Sequence, residues 1–379
     1  MRMNNNLCII TNIGAHYRYP IFSLISREIG CDFFLGDKVK QKLKTFDYER
    51  LDGYKRTLKN QFLGPFYWQT NSVSLVFKDY KYYILDGEPF CLSSWIILIL
   101  CRLMGKKTIS WSHGWYGREG HFKGLIKRFF FSLFSELMLY NEYAIKLMTE
   151  QGFNPAHMYC IANSMDSDKE KELRTSLKPS TLYQEYFHNN YPTVIYCGRV
   201  QKWKKLDMII DSMEILAREG NPINAIFIGQ DIENVDLKSY AASKGLANNV
   251  WTYGPCYDDQ IIGEFFYNAS VCVSPGNVGL TAIHALSFGC PVITHNQFPY
   301  QNPEFEAIKP GITGDFFEKD NLLSMTEYIK KWTSQTQEER EQTRTAAFNE
   351  IDSKWNTHYQ IEVIKEVISN KPKIRLTKG

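Results

Sequence analysis

Short apolar runs alternate with longer amphipathic stretches along nearly the whole chain. LCIITN (7–12), YYILD (82–86), KTISW (107–111) and LMLY (137–140) read as buried strands. Most are followed by segments whose apolar residues recur every three to four positions, the period of a helix packed on one face. After residue 163 the stretch SMDSDKEKELRTSLKPS is polar and charged, and reads as a linker followed by a surface segment. Alternation resumes with TVIYCG (193–198), AIFIG (225–229), VWTYG (250–254), SVCVSP (270–275) and PVITH (291–295). Two such blocks predict two α/β domains, each a parallel sheet covered by helices on both faces. The expected bounds are 1–165 for the first domain, 166–190 for a linker and 191–350 for the second domain. Residues 351–379 are expected to form a C-terminal helix that packs back on the first domain, with a helical pattern from Asp352 to about Asn370.

Composition narrows the class. The chain has 379 residues, 44% of them hydrophobic and 15% aromatic, enough for two cores. A net charge of +3 argues against a general nucleic-acid binder. Nine cysteines are scattered without a C-x-x-C pair, and Cys8, Cys197 and Cys272 sit inside strand runs. That is the pattern of buried thiols in a reducing compartment, and a cytoplasmic location is expected. The apolar run near the N-terminus is too short for a signal peptide. The most apolar segment, residues 90–105, holds two serines and Arg102 and falls short of the roughly 20 residues of a membrane span. It is expected to be a buried helix.

Ligands of open parallel sheets bind beyond the carboxyl ends of the strands, so the loops there carry the chemistry. In YCGRVQKWKKLDMII a strand ends at Cys197, Gly198 permits a turn, and Arg199 and Lys204 follow five apart. Two cations at a strand end suit a diphosphate, although a solvated basic turn has the same composition. In SPGNVGLTAIHALSFGCPVITHN (274–296) a strand breaks at Ser-Pro-Gly-Asn and a helix begins near Gly279. Its first N–H groups, at Gly279, Leu280 and Thr281, form a ready anion site, to which the Thr281 hydroxyl is expected to add. His284, three residues on, is placed on the Thr281 side of the helix.

GRVQKWKKLDMII, FIGQD, VWTYGP, SPGNVGLTAIHALSFGCPVI and PEFEAIKPGITGDFF follow one another in the order and spacing of the retaining GT-B glycosyltransferases of family 4, which this sequence resembles over residues 137–330. MYCIANSMD, with Asn163 and Asp166, is similar to that family's strand-end motif at the domain junction. The resemblance implies a GT-B fold, two Rossmann-like domains facing a central cleft. It implies a nucleotide-sugar donor held by Gly198, Arg199, Lys204, Gly276, Asn277, Gly279, Leu280, Thr281 and His284, with Gly14 approaching the diphosphate from the first domain. His113, Arg199 and Lys204 are the implied catalytic residues, His113 beside the transferring sugar. The acceptor implied is a glycan or a lipid-linked or surface-polysaccharide precursor.

One departure stands out. The family often carries two glutamates eight apart, for the sugar and the ribose, where this chain has Gly276 and His284. A neutral His284 is expected to bond a ribose hydroxyl instead. Glu304 or Glu306 is expected either to take a sugar hydroxyl or to be a surface acid. No cluster with metal-ligand spacing is read, so no metal or cofactor is expected, and protein cations are expected to offset the leaving-group charge. The segment GREGHFKGLIKRFFFSLF, from Gly117, mixes lysines and arginine with phenylalanines. It suits an anionic membrane surface, with a peripheral contact at the inner face of the plasma membrane, or else a core-facing helix with a basic outer side. A nucleotide-sugar 2-epimerase-like isomerase and a non-catalytic GT-B scaffold are the alternative readings.

Overall fold

The computed structural model describes residues 6–40 and 43–369. The chain divides into two compact units. One runs to Met165 and includes the residues from Thr357 onward, and the other is Asp166–Asn356.

The first unit is built on β1 (Leu7–Thr11), β2 (Asp32–Gly36), β3 (Tyr54–Leu58), a hairpin of β4 (Asn60–Leu63) and β5 (Phe66–Gln69), then β6 (Tyr82–Asp86), β7 (Lys107–Ser112), β8 (Glu136–Leu139) and β9 (Met158–Cys160). Seven of them form one parallel sheet in the order β3-β2-β1-β6-β7-β8-β9. Every residue of β1 is buried because both sheet faces are covered. Leu7 and Ile9 point into one core, while Cys8 and Ile10 point into the other. β2 and β3 fall outside the apolar runs read from the sequence. β3 is YKRTL, and its three middle residues are exposed at the sheet edge, so it carries little apolar signal.

The helix Leu92–Leu103 departs from its expected burial. It buries Ile97, Leu98 and Cys101 against the sheet. Leu92, Ile96, Ile99 and Leu103, spaced four, three and four apart, are exposed on its outer side. A helix lying on one sheet face buries only one stripe, whatever its overall hydropathy. No described helix is long and apolar enough to cross a membrane.

The second unit carries β10 (Thr193–Cys197), β11 (Asn224–Ile228), β12 (Val250–Gly254), β13 (Val271–Ser274), β14 (Val292–His295) and β15 (Gly314–Phe317). They form a parallel sheet in the order β12-β11-β10-β13-β14-β15. The order reverses between β10 and β13, so the carboxyl ends of these two strands open onto a crevice.

Residues 166–190, read as a linker, hold two helices of the second unit, Ser167–Ser176 and Leu182–Phe187. The first buries only Ser167 and Glu170, which explains why its sequence looks like a loop. The second is anchored by Tyr183, whose hydroxyl donates to the Phe265 carbonyl at 2.7 Å. Near the C-terminus, Asp352 belongs to the helix Gln337–Ser353, and a separate helix, Thr357–Ile368, follows. It contacts the helix Tyr19–Glu28 of the first unit. Tyr359 and Gln360 tie it to the carbonyls of Cys160 and Ala162 at 3.0 and 3.1 Å. Asn370 and the residues after it lie outside the described residues.

Gly229 fixes the mouth of the crevice. It has φ +150°, and a Cβ there would lie 1.8 Å from the Gly198 carbonyl oxygen. Gly220, after the helix Asp207–Arg218, has φ +80° but open space around it. Gly220→Ala should therefore cost about 1 kcal/mol of backbone strain, and Gly229→Ala about 3 kcal/mol. Thermal unfolding checks this: the Gly229→Ala midpoint should lie clearly below that of Gly220→Ala, and equal midpoints would contradict the packing.

Candidate functional site

The loops after β10 and β13 meet in the crevice. Lys204 crosses from one to the other, and its Nζ donates to the Asn277 backbone carbonyl at 2.8 Å and to Asn277 Oδ1 at 2.7 Å. The Gly276 N–H returns a bond to the Lys204 carbonyl at 3.0 Å. A Cβ on Gly276 would sit 3.0 Å from Lys204 Cα and from the Trp203 carbonyl oxygen. The glycine thus eases the contact between the two loops, and any side chain there would press the Lys204 loop back by a few tenths of an ångström.

The electrostatics of this contact are unbalanced. Both partners of Lys204 are neutral. Burial first, then the nearby Arg199 charge, push its pKa down to about 8. Arg199 is exposed and makes no ion pair among the described residues. By contrast, the neighbouring Lys205 is neutralised by Asp320. Trp203 lies beside the Lys204 ammonium, 4.3 Å from its ring centre. Arg199 is held in place through its backbone, whose carbonyl accepts from the Tyr196 hydroxyl at 2.9 Å.

The helix Leu280–Ser287 begins next to this pair of cations. Its N-cap, Gly279, has no side chain to cap it. The N–H groups of Gly279, Leu280 and Thr281 make no hydrogen bond among the described residues. They and the helix dipole add to the positive potential of Arg199 and Lys204. A Cβ on Gly279 would meet Asn302 Nδ2 at 2.9 Å, so this end of the helix is closely overlaid. Gln301, which the sequence does not single out, fixes the loop. Its Oε1 accepts from the Val278 N–H at 2.7 Å, and its Nε2 donates to Thr294 Oγ1 and the His295 carbonyl, both at 2.9 Å. The polar run around it reads as an ordinary loop, so no sequence signal marks it.

Two expected roles change. The Thr281 hydroxyl donates to the Cys197 carbonyl at 2.9 Å, tying the helix to the end of β10. Its proton is committed there and cannot be donated to an anion. His284 does not present a ring nitrogen to a nucleoside. It is buried against the rings of Phe266 and Phe288, and its Nε2, 3.7 Å from Glu170 Oε1, has no hydrogen-bond partner among the described residues. Burial pushes its pKa down to about 4. Glu170 is also buried and accepts from the Ser287 hydroxyl at 2.8 Å, and burial pushes its carboxyl up to about 8. The imidazole meets the helix Ser167–Ser176, which packs on this helix and carries Glu170. Glu304 is not a surface acid: it is buried in the turn Pro303–Ala307, which packs on the helix Leu280–Ser287. Glu306 is half-buried.

In the first unit, His113 follows β7 at the carboxyl edge of the sheet. Its ring stacks on Tyr116 at 5.7 Å and tilts against Tyr140 at 4.9 Å. Crowding by surrounding groups, then the positive charges of Arg18 and Lys127, lower its pKa, so the ring is neutral at pH 7. Arg18, another residue the sequence reading passed over, bonds the Tyr140 hydroxyl and lies 4.6 Å over the Trp111 ring. The Gly14 N–H is engaged by the Tyr48 hydroxyl at 2.9 Å, and a Cβ there would lie 2.6 Å from the Tyr48 ring. Gly14 therefore admits a tyrosine, and its N–H is not available to a phosphate.

The sequence does contain one Asp-x-Asp, Asp166-Ser167-Asp168. Asp166 caps the helix Ser167–Ser176 through the Lys169 N–H. Among the described residues no three His, Cys, Asp or Glu side chains gather as metal ligands.

Known proteins share this architecture. The chain superposes on Alr3699/HepE of Anabaena in complex with UDP with a TM-score of 0.71 at 13% identity, over 96% of this chain and 100% of that one. It superposes on the apo form of the lipopolysaccharide outer core galactosyltransferase WaaB with a TM-score of 0.69 at 14% identity, over 96% and 99% of the two chains. These likenesses establish the fold as GT-B. Residues 182–350 match the family of glycosyl transferases group 1. Over 151 residues the chain is 22% identical to an alpha-D-kanosaminyltransferase of Streptomyces kanamyceticus, and the match spans 39% of this chain and 38% of that protein.

The buried Glu170 gives a pH signature. Its folded pKa of about 8 lies above the unfolded value of about 4.3. Its contribution to stability is therefore full below the unfolded value and is lost as pH rises through the folded one. The wild-type melting temperature should fall between about pH 6 and pH 9, and Glu170→Gln should flatten that fall. Equal slopes in wild type and variant would show that Glu170 ionises normally.

Proposed function

We propose that this protein is a retaining glycosyltransferase of the family 4 type. It moves a sugar from a nucleoside-diphosphate sugar to a lipid-linked or surface-polysaccharide acceptor, in the cytoplasm at the inner face of the plasma membrane. The observation that carries the reading is Lys204, a cation held by neutral oxygens beside an uncapped helix N-terminus and an unpaired arginine. Such a site accepts a diphosphate, whose two or so negative charges would match Arg199 and Lys204.

In the transfer, the bond from the anomeric carbon to the diphosphate oxygen breaks, and its electron pair stays on that oxygen. The acceptor hydroxyl oxygen forms the new bond to the same carbon, and its proton passes to the departing diphosphate oxygen. Arg199, Lys204 and the N–H groups of Gly279, Leu280 and Thr281 stabilise the charge that collects on the leaving group. Their geometry is fixed before substrate arrives, which makes their stabilisation larger than that of water. His113, neutral and with no hydrogen bond among the described residues, suits the binding of a sugar hydroxyl rather than a charge. No step calls for a metal or another cofactor. UDP is the first nucleotide to test, because HepE has been solved with UDP and with UDP-glucose.

Arg199→Ala and Lys204→Met should each slow transfer by about 30- to 1,000-fold, the loss of one charge-assisted contact to the leaving group. Initial rates of nucleotide release from a panel of UDP-sugars and other nucleotide sugars measure this, with circular dichroism to confirm folding. Wild-type turnover in either folded variant would remove the phosphate assignment. The rate should also persist in excess EDTA. Loss that Mg²⁺ or Mn²⁺ restores would place a metal in the reaction.

A further inference from the structure

Two neighbouring helices of the first unit leave an apolar surface that none of the unit's described residues covers. On Leu92–Leu103 the outer stripe is Leu92, Ile96, Ile99 and Leu103, with Leu103 78% exposed. On His121–Ser132 it is Phe122, Ile126 and Phe129, with Phe122 75% and Phe129 60% exposed. The two stripes adjoin. Trp95 of the first helix meets Phe129 of the second at 6.0 Å between ring centres, and Arg102 reaches the Ser132 carbonyl at 3.4 Å. Isolated exposed apolar residues are ordinary, but a continuous face drawn from two helices is not.

The charge carried by the two helices themselves is of one sign. The two helices contain Arg102, Lys123, Lys127 and Arg128, and neither contains an aspartate or glutamate. Glu119, just before the second helix, is already neutralised by Lys127 at 2.6 Å. Lys107, which follows the first helix, is exposed. Apolar residues flanked by long cationic side chains match the boundary between acyl chains and phosphate headgroups. A second copy of this chain is a poorer match, because apposing two such faces would bring their cations together with no acid between them.

We propose that the paired outer faces of Leu92–Leu103 and His121–Ser132 form a docking surface for an anionic lipid bilayer. The proposal takes from the proposed function only the expectation of a membrane-borne acceptor. It assigns to the membrane a helix that its sequence marks as core, and it joins that helix to the basic aromatic segment.

Vesicle flotation at low salt tests it, with phosphatidylcholine alone and with phosphatidylcholine mixed with phosphatidylglycerol. The full chain should float with the mixed vesicles and stay behind with the neutral ones. Ile96→Glu combined with Phe129→Glu changes two exposed side chains and should cut flotation by at least about tenfold. Calorimetric titration with UDP separates the two readings, since the variant should bind UDP as the wild type does or fails to do. The proposal is overturned if the folded wild type stays behind with both vesicles, or if the variant floats equally. It is also overturned if sedimentation shows a wild-type dimer that the two substitutions dissociate, for the occupant would then be a second copy.

Discussion

Lys204 carries its charge into the crevice between β10 and β13 and meets no carboxylate there. Most lysines near a protein interior are paired with an acid, because an uncompensated charge out of water is costly. Here the compensation is two neutral oxygens of Asn277, a poor substitute that leaves the pKa near 8. The surrounding structure accommodates that imbalance. Gly276 is small so that the Lys204 loop can lie against it. Gly229 lets the Gly198 carbonyl pass close by. Gln301 clips the loop that precedes the helix. Each detail keeps a positive site rigid and open to an anion, which is the arrangement a departing diphosphate requires.

The parts legible in the sequence are those set by position along a strand or at a helix end. Arg199, Lys204 and the helix start at Gly279 follow strands directly, and a parallel sheet puts every such loop on one edge. Strands β10, β11, β13 and β14 announce themselves because they are buried on both faces. The misplacement of His284 has a different origin. A helical spacing gives an angle about the helix axis, but a neighbour decides which angles are buried. That neighbour is the helix Ser167–Ser176, whose polar sequence reads as a linker. Missing it hid Glu170, and with Glu170 hidden the imidazole seemed free to face a ligand. Gly14 and Thr281 obey a related constraint. In the sequence their backbone and hydroxyl donors read as available, while Tyr48 and the Cys197 carbonyl, distant in sequence, already engage them.

Residue 284 also shows how one short helix can serve two different environments. The helix Leu280–Ser287 keeps its uncapped start while its far end buries an imidazole and a carboxyl side by side. Both are pushed toward their neutral forms, so the pair needs no counter-charge near pH 7. The anion site and this polar pocket sit at opposite ends of one short helix. The proposed phosphate site at its start therefore draws nothing from residue 284.

The measurement that bears most directly on the phosphate site is the proton count on nucleotide binding. Titration calorimetry near pH 9, in buffers of different ionisation enthalpy, reads it for UDP and for uridine. At that pH Lys204 is largely neutral, and a bound diphosphate should raise its pKa and draw in a proton. Net proton uptake is expected with UDP in the wild type, none with uridine, and none with UDP in Lys204→Met. UDP binding to the wild type with no proton uptake would contradict this, because the diphosphate would then lie away from the Lys204 ammonium.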